Sequence, residues 1–247
     1  MAPNHDLCGV LSSGLWRRFD RTTAGVPAPS LPAKAPLTLR ILVIGGTSGI
    51  GLETVKLALD RGHNVTAMAR RPERMLLKHE RLATVGGDIL DAESVAAAMA
   101  GQDAVVTTIG MGPTRKPVSL FSDGTRTVLE TMPKVGTQRI LAVTGIGAGD
   151  SRGHGGFFYD RILQPLALKT IYEDKDRAEA LLGSSDTDWT IVRPGHLTDN
   201  LSDNRYRVIN DMEGITSRKI ARADVAHFIV AALESRSYIR ATVFLTN

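Results

Sequence analysis

Four glycines fall within seven residues in Gly45-Gly46-Thr47-Ser48-Gly49-Ile50-Gly51. The run directly follows a short apolar stretch, residues 39–44. It opens a segment in which Leu52, Val55 and Leu59 mark one face of a helix, stopped by Gly62. A strand, a glycine loop and a helix in that order are suited to hold phosphate. Glycine lets the backbone approach a pyrophosphate with no Cβ in the way. The N–H groups and dipole at the helix start then face the phosphate charge. Thr47 and Ser48 add hydroxyl donors. A plain strand-to-helix turn rarely needs so many glycines, so the loop is read as dinucleotide-binding through Gly45, Thr47, Ser48, Gly49, Ile50 and Gly51.

Residue types further along refine that ligand. The second apolar run ends in Ala67-Met68-Ala69-Arg70-Arg71-Pro72. A site for NAD places Asp or Glu here, to accept from the ribose 2′-hydroxyl. Arg70 and Arg71 stand there instead, and guanidinium matches a 2′-phosphate by charge and fork geometry. NADP(H) is therefore expected over NAD(H), with Arg74 a weaker candidate for the same phosphate. Asp88 and Ile89 follow the third apolar run, and Thr108, Ile109 and Gly110 end the fourth. Both segments fall at carboxyl ends of strands, where doubly wound folds bind ligands.

The elements that must position these residues alternate. Strands are expected over residues 39–44, 64–69, 82–85, 103–108, 139–144, 189–192 and 242–245. Helices are expected over 92–100 with Asp91 as N-cap, over 120–132 with Pro133 just beyond, over 173–182 and over 224–233. This alternation specifies an α/β fold: a single doubly wound parallel sheet, a Rossmann fold, with helices on both faces. The domain is drawn over 39–247, with a small C-terminal substrate region. Residues 1–38 read as a flexible Ala/Pro-rich N-terminal extension, since Pro3, Pro27, Pro29, Pro32 and Pro36 lie there. Arg17, Arg18 and Arg21 would suit a transit peptide, but Asp6 and Asp20 argue against one, and the chain is expected to be cytoplasmic.

Composition narrows the partners. The 247 residues are 43% hydrophobic and 23% charged, with a net charge of +4. The charges are interspersed, so no basic stripe marks a nucleic-acid surface, and no partner nucleic acid or membrane is expected. One cysteine excludes a disulfide framework or a thiolate cluster. His5, His63, His79, His154, His196 and His227 lack metal-ligand spacing, so no metal is expected. A small-molecule acceptor and a monomer or weak homodimer are the expectation.

The spacing Gly45-x-x-x-Gly49-x-Gly51 resembles that of the short-chain dehydrogenase/reductase superfamily. That resemblance implies an Asp followed by an apolar residue at the adenine, here Asp88 and Ile89. It also implies a Tyr-x-x-x-Lys pair for proton exchange, which none of the four tyrosines supplies. Tyr172 comes nearest, with Lys175 one position short. The chain resembles instead the atypical NAD(P)H-binding branch, with its biliverdin/flavin reductases and NmrA-like proteins. The segments that carry this include Tyr172-Glu173-Asp174-Lys175-Asp176-Arg177-Ala178-Glu179, Asp188-Trp189-Thr190-Ile191-Val192-Arg193-Pro194-Gly195 and Ile220-Ala221-Arg222-Ala223-Asp224-Val225-Ala226.

Resemblance to the flavin reductases implies hydride transfer from NADPH to a flavin, quinone or related conjugated acceptor, with FMN as a candidate substrate. Such an acceptor takes its proton from water, so a tyrosine acid is dispensable. The same branch leaves two alternatives open: a non-catalytic NADP(H) sensor and an epimerase-like enzyme. Lys175, expected at the start of its helix, is the first candidate for an active-site charge, at the nicotinamide ribose or an acceptor carbonyl. Thr144 could donate its hydroxyl to substrate, and His196 could donate a proton. Pro194 falls where relatives pass the backbone beside the carboxamide. The glycine-rich residues 145–156, with Asp150, Arg152 and His154 and then Phe157, Phe158 and Tyr159, read as a substrate lid, Arg152 binding an acidic acceptor.

Overall fold

The computed structural model describes residues 25–33, 35, 37–154, 168–210, 212 and 215–247. Its strands are β1 (Val26–Pro27), β2 (Arg40–Ile44), β3 (Asn64–Ala69), β4 (Leu82–Gly86), β5 (Ala104–Thr107), β6 (Arg139–Val143), β7 (Asp188–Pro194), β8 (His196–Thr198), β9 (Arg207–Ile209), β10 (Lys219–Ala221) and β11 (Ala241–Thr246). Its helices are α1 (Gly49–Asp60), α2 (Ala92–Met99), α3 (Leu120–Val135), α4 (Lys169–Gly183) and α5 (Arg222–Glu234).

Residues Ile41 to Ile44 of β2 are apolar because both faces of the strand are covered there. Ile41 and Val43 enter a core with Val55 and Leu59 of α1 and Phe228 and Ile229 of α5. Leu42 and Ile44 enter the other core, with Val95 of α2, Val128 and Met132 of α3 and Leu182 of α4. The main sheet runs β1-β9-β11-β7-β6-β5-β2-β3-β4. From β4 to β11 every pairing is parallel, and the chain reverses direction only at β9. Strand order changes sense between β2 and β5, which opens a crevice at their carboxyl ends.

Several sequence expectations need correcting. The sheet is not wholly parallel, since β9 is antiparallel to β11. A second, two-stranded sheet pairs β8 with β10. Three-residue strands carry too little alternation to be read from sequence. Val26, Pro27 and Ala28, within the extension expected up to residue 38, are tied to the domain. Val26 and Pro27 pair with Val208 and Arg207, and the Ala28 N–H donates to the Tyr206 carbonyl at 3.0 Å. Residues 1–24 and 155–167, including Cys8 and the Phe157-Phe158-Tyr159 run, lie outside the described residues. Pro133 falls inside α3, in its last turn, where its missing donor costs one hydrogen bond. Gly136, at φ 78°, then ends the helix in the left-handed conformation. Helix α4 begins at Lys169, which puts Lys175 in its second turn rather than its first.

The start of α3 is held from outside. Ser119 at its N-cap makes no side-chain cap bond. Asp174 of α4, fully buried, serves instead. Its carboxylate accepts from Phe121 N at 2.7 Å and Ser122 Oγ at 2.5 Å, with Ser122 N at 3.4 Å. Asp91 caps α2 from an exposed position by accepting from Glu93 N. Asp174→Ala is expected to lower the unfolding free energy by about 2–4 kcal/mol, because it strands buried donors. Asp91→Ala is expected to cost about 1 kcal/mol. Urea denaturation of both variants checks this, and equal losses would remove Asp174 as the α3 anchor.

Candidate active site

The glycine loop follows β2 directly and leads into α1. At Gly45, φ is 89°, and a Cβ there would stand 2.9 Å from the Thr108 carbonyl oxygen. At Gly51 a Cβ would come within 2.3 Å of Gly45 O and 2.5 Å of Thr108 Oγ1. No side chain fits at either place, so loop, helix and the residue after β5 pack backbone to backbone. The Thr108 hydroxyl closes the junction by donating to Ile44 O at 3.1 Å. Gly51 is thus a packing residue behind the loop. Gly49 and Gly110 present bare backbone to the crevice. That is the cradle a pyrophosphate needs.

One end of the crevice is lined by Gly45, Thr47, Ser48, Ala69, Arg70, Arg71, Arg74, Asp88, Ile89, Thr108, Ile109 and Gly110. The three arginines are exposed, and Asp88 Oδ1 accepts from Leu90 N at 3.1 Å. Ile89 is buried against Gly124 of α3, which holds the Asp88 loop in place. The expected adenosine-side residues are therefore brought to one place.

The other end is lined by Gly49, Ile50, Thr144, Tyr172, Lys175, Pro194, His196 and Arg222, with Met111, Ile146 and Leu197 apolar beside them. Lys175 donates to the Thr144 carbonyl. Its ammonium lies 4.9 Å from the Tyr172 ring centre and 5.2 Å from that of Phe121. Burial pushes the Lys175 pKa down to about 8, against a smaller upward pull from Glu179. Glu179 is itself buried and accepts from Arg193 through two bonds, Nε at 3.1 Å and Nη2 at 2.6 Å.

Two expectations fail here. The Thr144 hydroxyl does not point into the crevice as a donor, since it donates to Glu179 Oε1 at 2.6 Å. Thr144 positions Lys175 through its carbonyl instead. Residues 145–154 are not a free lid carrying an open Arg152. Arg152 pairs with Asp176, whose other oxygen accepts from Gly149 N at 2.7 Å. His154 Nδ1 donates to Ile215 O at 2.7 Å, and Ser217 N donates back to His154 O at 2.7 Å.

Three participants escape sequence reasoning. Glu179 and Arg193 lie fourteen residues apart on a helix and a strand, and no local pattern pairs them. Arg222, a lone arginine at the start of α5, carries no spacing signal that would put it beside Gly49. Among the described residues, no group of three or more His, Cys, Asp or Glu could hold a metal ion. No helix there is long and apolar enough to cross a membrane.

A doubly wound sheet with a bare glycine loop at its switch point defines a Rossmann-type dinucleotide-binding protein. Residues 45–236 match the NAD(P)H-binding family, and the chain belongs to it, as an atypical short-chain dehydrogenase/reductase. Among similar proteins is the uncharacterized sugar epimerase YhfK of Bacillus subtilis, 27% identical over 81% of this chain and 90% of that protein. The photosystem II assembly factor Ycf39 of Synechocystis is 26% identical over 83% of this chain and 61% of its own length. The solved structure of ChuY, an anaerobillin reductase from Escherichia coli O157:H7, matches with a TM-score of 0.69. It is 26% identical, over 84% of this chain and 96% of ChuY.

The lowered Lys175 pKa fixes a pH dependence. Between about 8 and its ordinary 10.5, the unfolded chain keeps a proton that the folded chain has released. Stability must therefore rise with pH across that window, by up to about 3 kcal/mol, and below it the cost of the buried charge is fully present. Lys175→Met should lack this rise. Urea unfolding of both proteins from about pH 7 to about pH 10.5 checks it, and parallel pH curves would overturn the assignment.

Proposed function

We propose that the protein is an NADPH-dependent reductase that passes hydride to a flavin, quinone or related conjugated acceptor. The observation that carries this reading is the position of Lys175. Its desolvated ammonium faces the same crevice as the glycine loop, at the end away from Arg70 and Arg71. Arg70 and Arg71, with Arg74 beside them, would hold the 2′-phosphate. Asp88 and Ile89 would hold the adenine, the loop the pyrophosphate, and the backbone at Pro194 the carboxamide end. NADPH, when bound, supplies the hydride.

The chain's own groups do the rest. Met111 and Leu197, both partly exposed, line the same space as Lys175 and offer apolar surface to a flat conjugated acceptor. The Lys175 ammonium stabilises negative charge that develops on the acceptor, and in a desolvated setting that interaction is strong. The acceptor draws its proton from solvent. His196, at the first position of β8, lines the same space and is a second source. That ChuY is a reductase supports this reading. The names of Ycf39 and YhfK favour the alternatives, a binding module without turnover and an epimerase-like enzyme.

Oxidation of NADPH is followed with FMN and a quinone as acceptors, and NADH in parallel. Turnover with NADPH should exceed that with NADH, and Arg70→Gln with Arg71→Gln should erase the preference. Lys175→Met should lower kcat by about a hundredfold. The wild-type rate should fall above about pH 8 as Lys175 loses its proton. Tight NADPH binding with no acceptor reduced would give the binding-module reading precedence. Substrate conversion with no net nicotinamide oxidation would favour the epimerase.

A further inference from the structure

We propose that Arg222 is a pyrophosphate-binding arm and that Asp199 holds it in reserve, so that dinucleotide binding exchanges one anion for another. The inference needs only that the crevice takes a dinucleotide, and does not depend on the acceptor.

Topology brings the two residues together. The parallel register of β8 and β10 pairs Thr198 with Ala221. The next residues along the two strands are Asp199 and Arg222, and they emerge side by side. Arg222 Nη1 donates to Asp199 Oδ1 at 2.6 Å. Arg222 is also the first residue of α5, and its side chain lines the crevice. A Cβ built on Gly49 would meet only Arg222 within 4 Å, Nε at 3.8 Å and Cδ at 3.9 Å. The guanidinium therefore flanks the bare N-terminus of α1, where the loop would place a pyrophosphate.

Charge decides the exchange. The first turn of α1 carries no acidic side chain. Arg70, Arg71 and Arg74 share their end of the crevice with Gly45, Thr47 and Ser48, whereas Arg222 shares the other end with Gly49 and Ile50, and Lys175 there is turned to the Thr144 carbonyl and two aromatic rings. Among the described residues, Arg222 is the cationic side chain that lies against Gly49 at the start of α1. Its present partner is weak, because the Asp199 side chain is 90% exposed and water and salt screen the pair. A phosphate held on α1 amides, out of bulk water, offers a stronger charge-assisted bond. Asp199 keeps the arm extended before binding, and competes with the ligand for it.

Dissociation constants for NADPH and NADH are measured by calorimetry on the full chain. Arg222→Gln should weaken both by the same factor, about tenfold, because the pyrophosphate is common to them. Asp199→Asn should tighten both by about threefold. That gain should vanish when Arg222→Gln is also present. Asp199 is exposed, so Asp199→Asn tests the proposal even if the arginine variant folds poorly. Unchanged binding in Arg222→Gln, loss confined to NADPH, or unchanged or weaker binding in Asp199→Asn would overturn it. Absence of any nucleotide binding by the wild type would overturn the family's cofactor here instead.

Discussion

The reactive end of the sheet is organised by one buried ion pair, Glu179 with Arg193. It ties α4 to β7, and through the Thr144 hydroxyl it also takes hold of the residue that follows β6. Two carboxylate oxygens and three donated bonds leave the charge fully engaged, as burial requires. Such a pair adds little net stability, because desolvation cancels most of its attraction. What it provides is position. Lys175 stands one helical turn before Glu179, so fixing the carboxylate fixes the ammonium against the Thr144 carbonyl. The same guanidinium dictates the neighbouring loop. A Cβ on Gly149 would fall 2.2 Å from Arg193 Nη2, so the chain can pass there only as glycine.

The opposite wall is set by packing rather than charge. Gly45, Gly51 and Thr108 meet with no side chain between them, which sets how closely α1 approaches β5. The two ends of the crevice carry cations in different settings. Arg70, Arg71 and Arg74 are exposed at one end, where they attract an anionic dinucleotide and are screened by salt. At the other end a single ammonium is desolvated and its pKa drawn down to about 8. The first arrangement suits recognition, the second suits stabilising charge that appears during a reaction.

What was legible in the sequence follows from this division. Local features carried the glycine loop, the parallel strands and the Asp91 cap, because each is written in a few consecutive residues. β3 was read to its ends, since residues 64–69 are bounded by a glycine stop and an arginine pair. What stayed hidden depends on residues far apart. Thr144 looked free to donate because nothing near it in the chain announces Glu179, thirty-five positions on. Arg152 looked free because Asp176 lies beyond an intervening segment. β1 was hidden by its proline and those that follow it, yet Pro27 sits at the very edge of the sheet, where a missing donor costs little. Arg222 and Asp199 become neighbours only through the register of two three-residue strands.

The spacing of Tyr172 and Lys175 bears on the chemistry itself. Residues four apart on a helix stand about 40° apart around its axis, and three apart about 60° to the other side. Moving the tyrosine by one position therefore swings its ring by about 100° relative to the lysine. Here both heads still reach Gly145, whose missing Cβ would lie 3.5 Å from the tyrosine hydroxyl and 3.7 Å from the ammonium. Yet the ammonium sits over the face of the ring, 4.9 Å from its centre. A cation on the face is attracted by the ring's quadrupole and is not directed at the phenol oxygen. On the proposed reading the Lys175 ammonium would stabilise charge in the crevice, with no proton drawn from Tyr172. Under the reductase function proposed above, that arrangement would suit an acceptor that gains hydride at one atom, spreads negative charge through a conjugated system and needs no tyrosine acid.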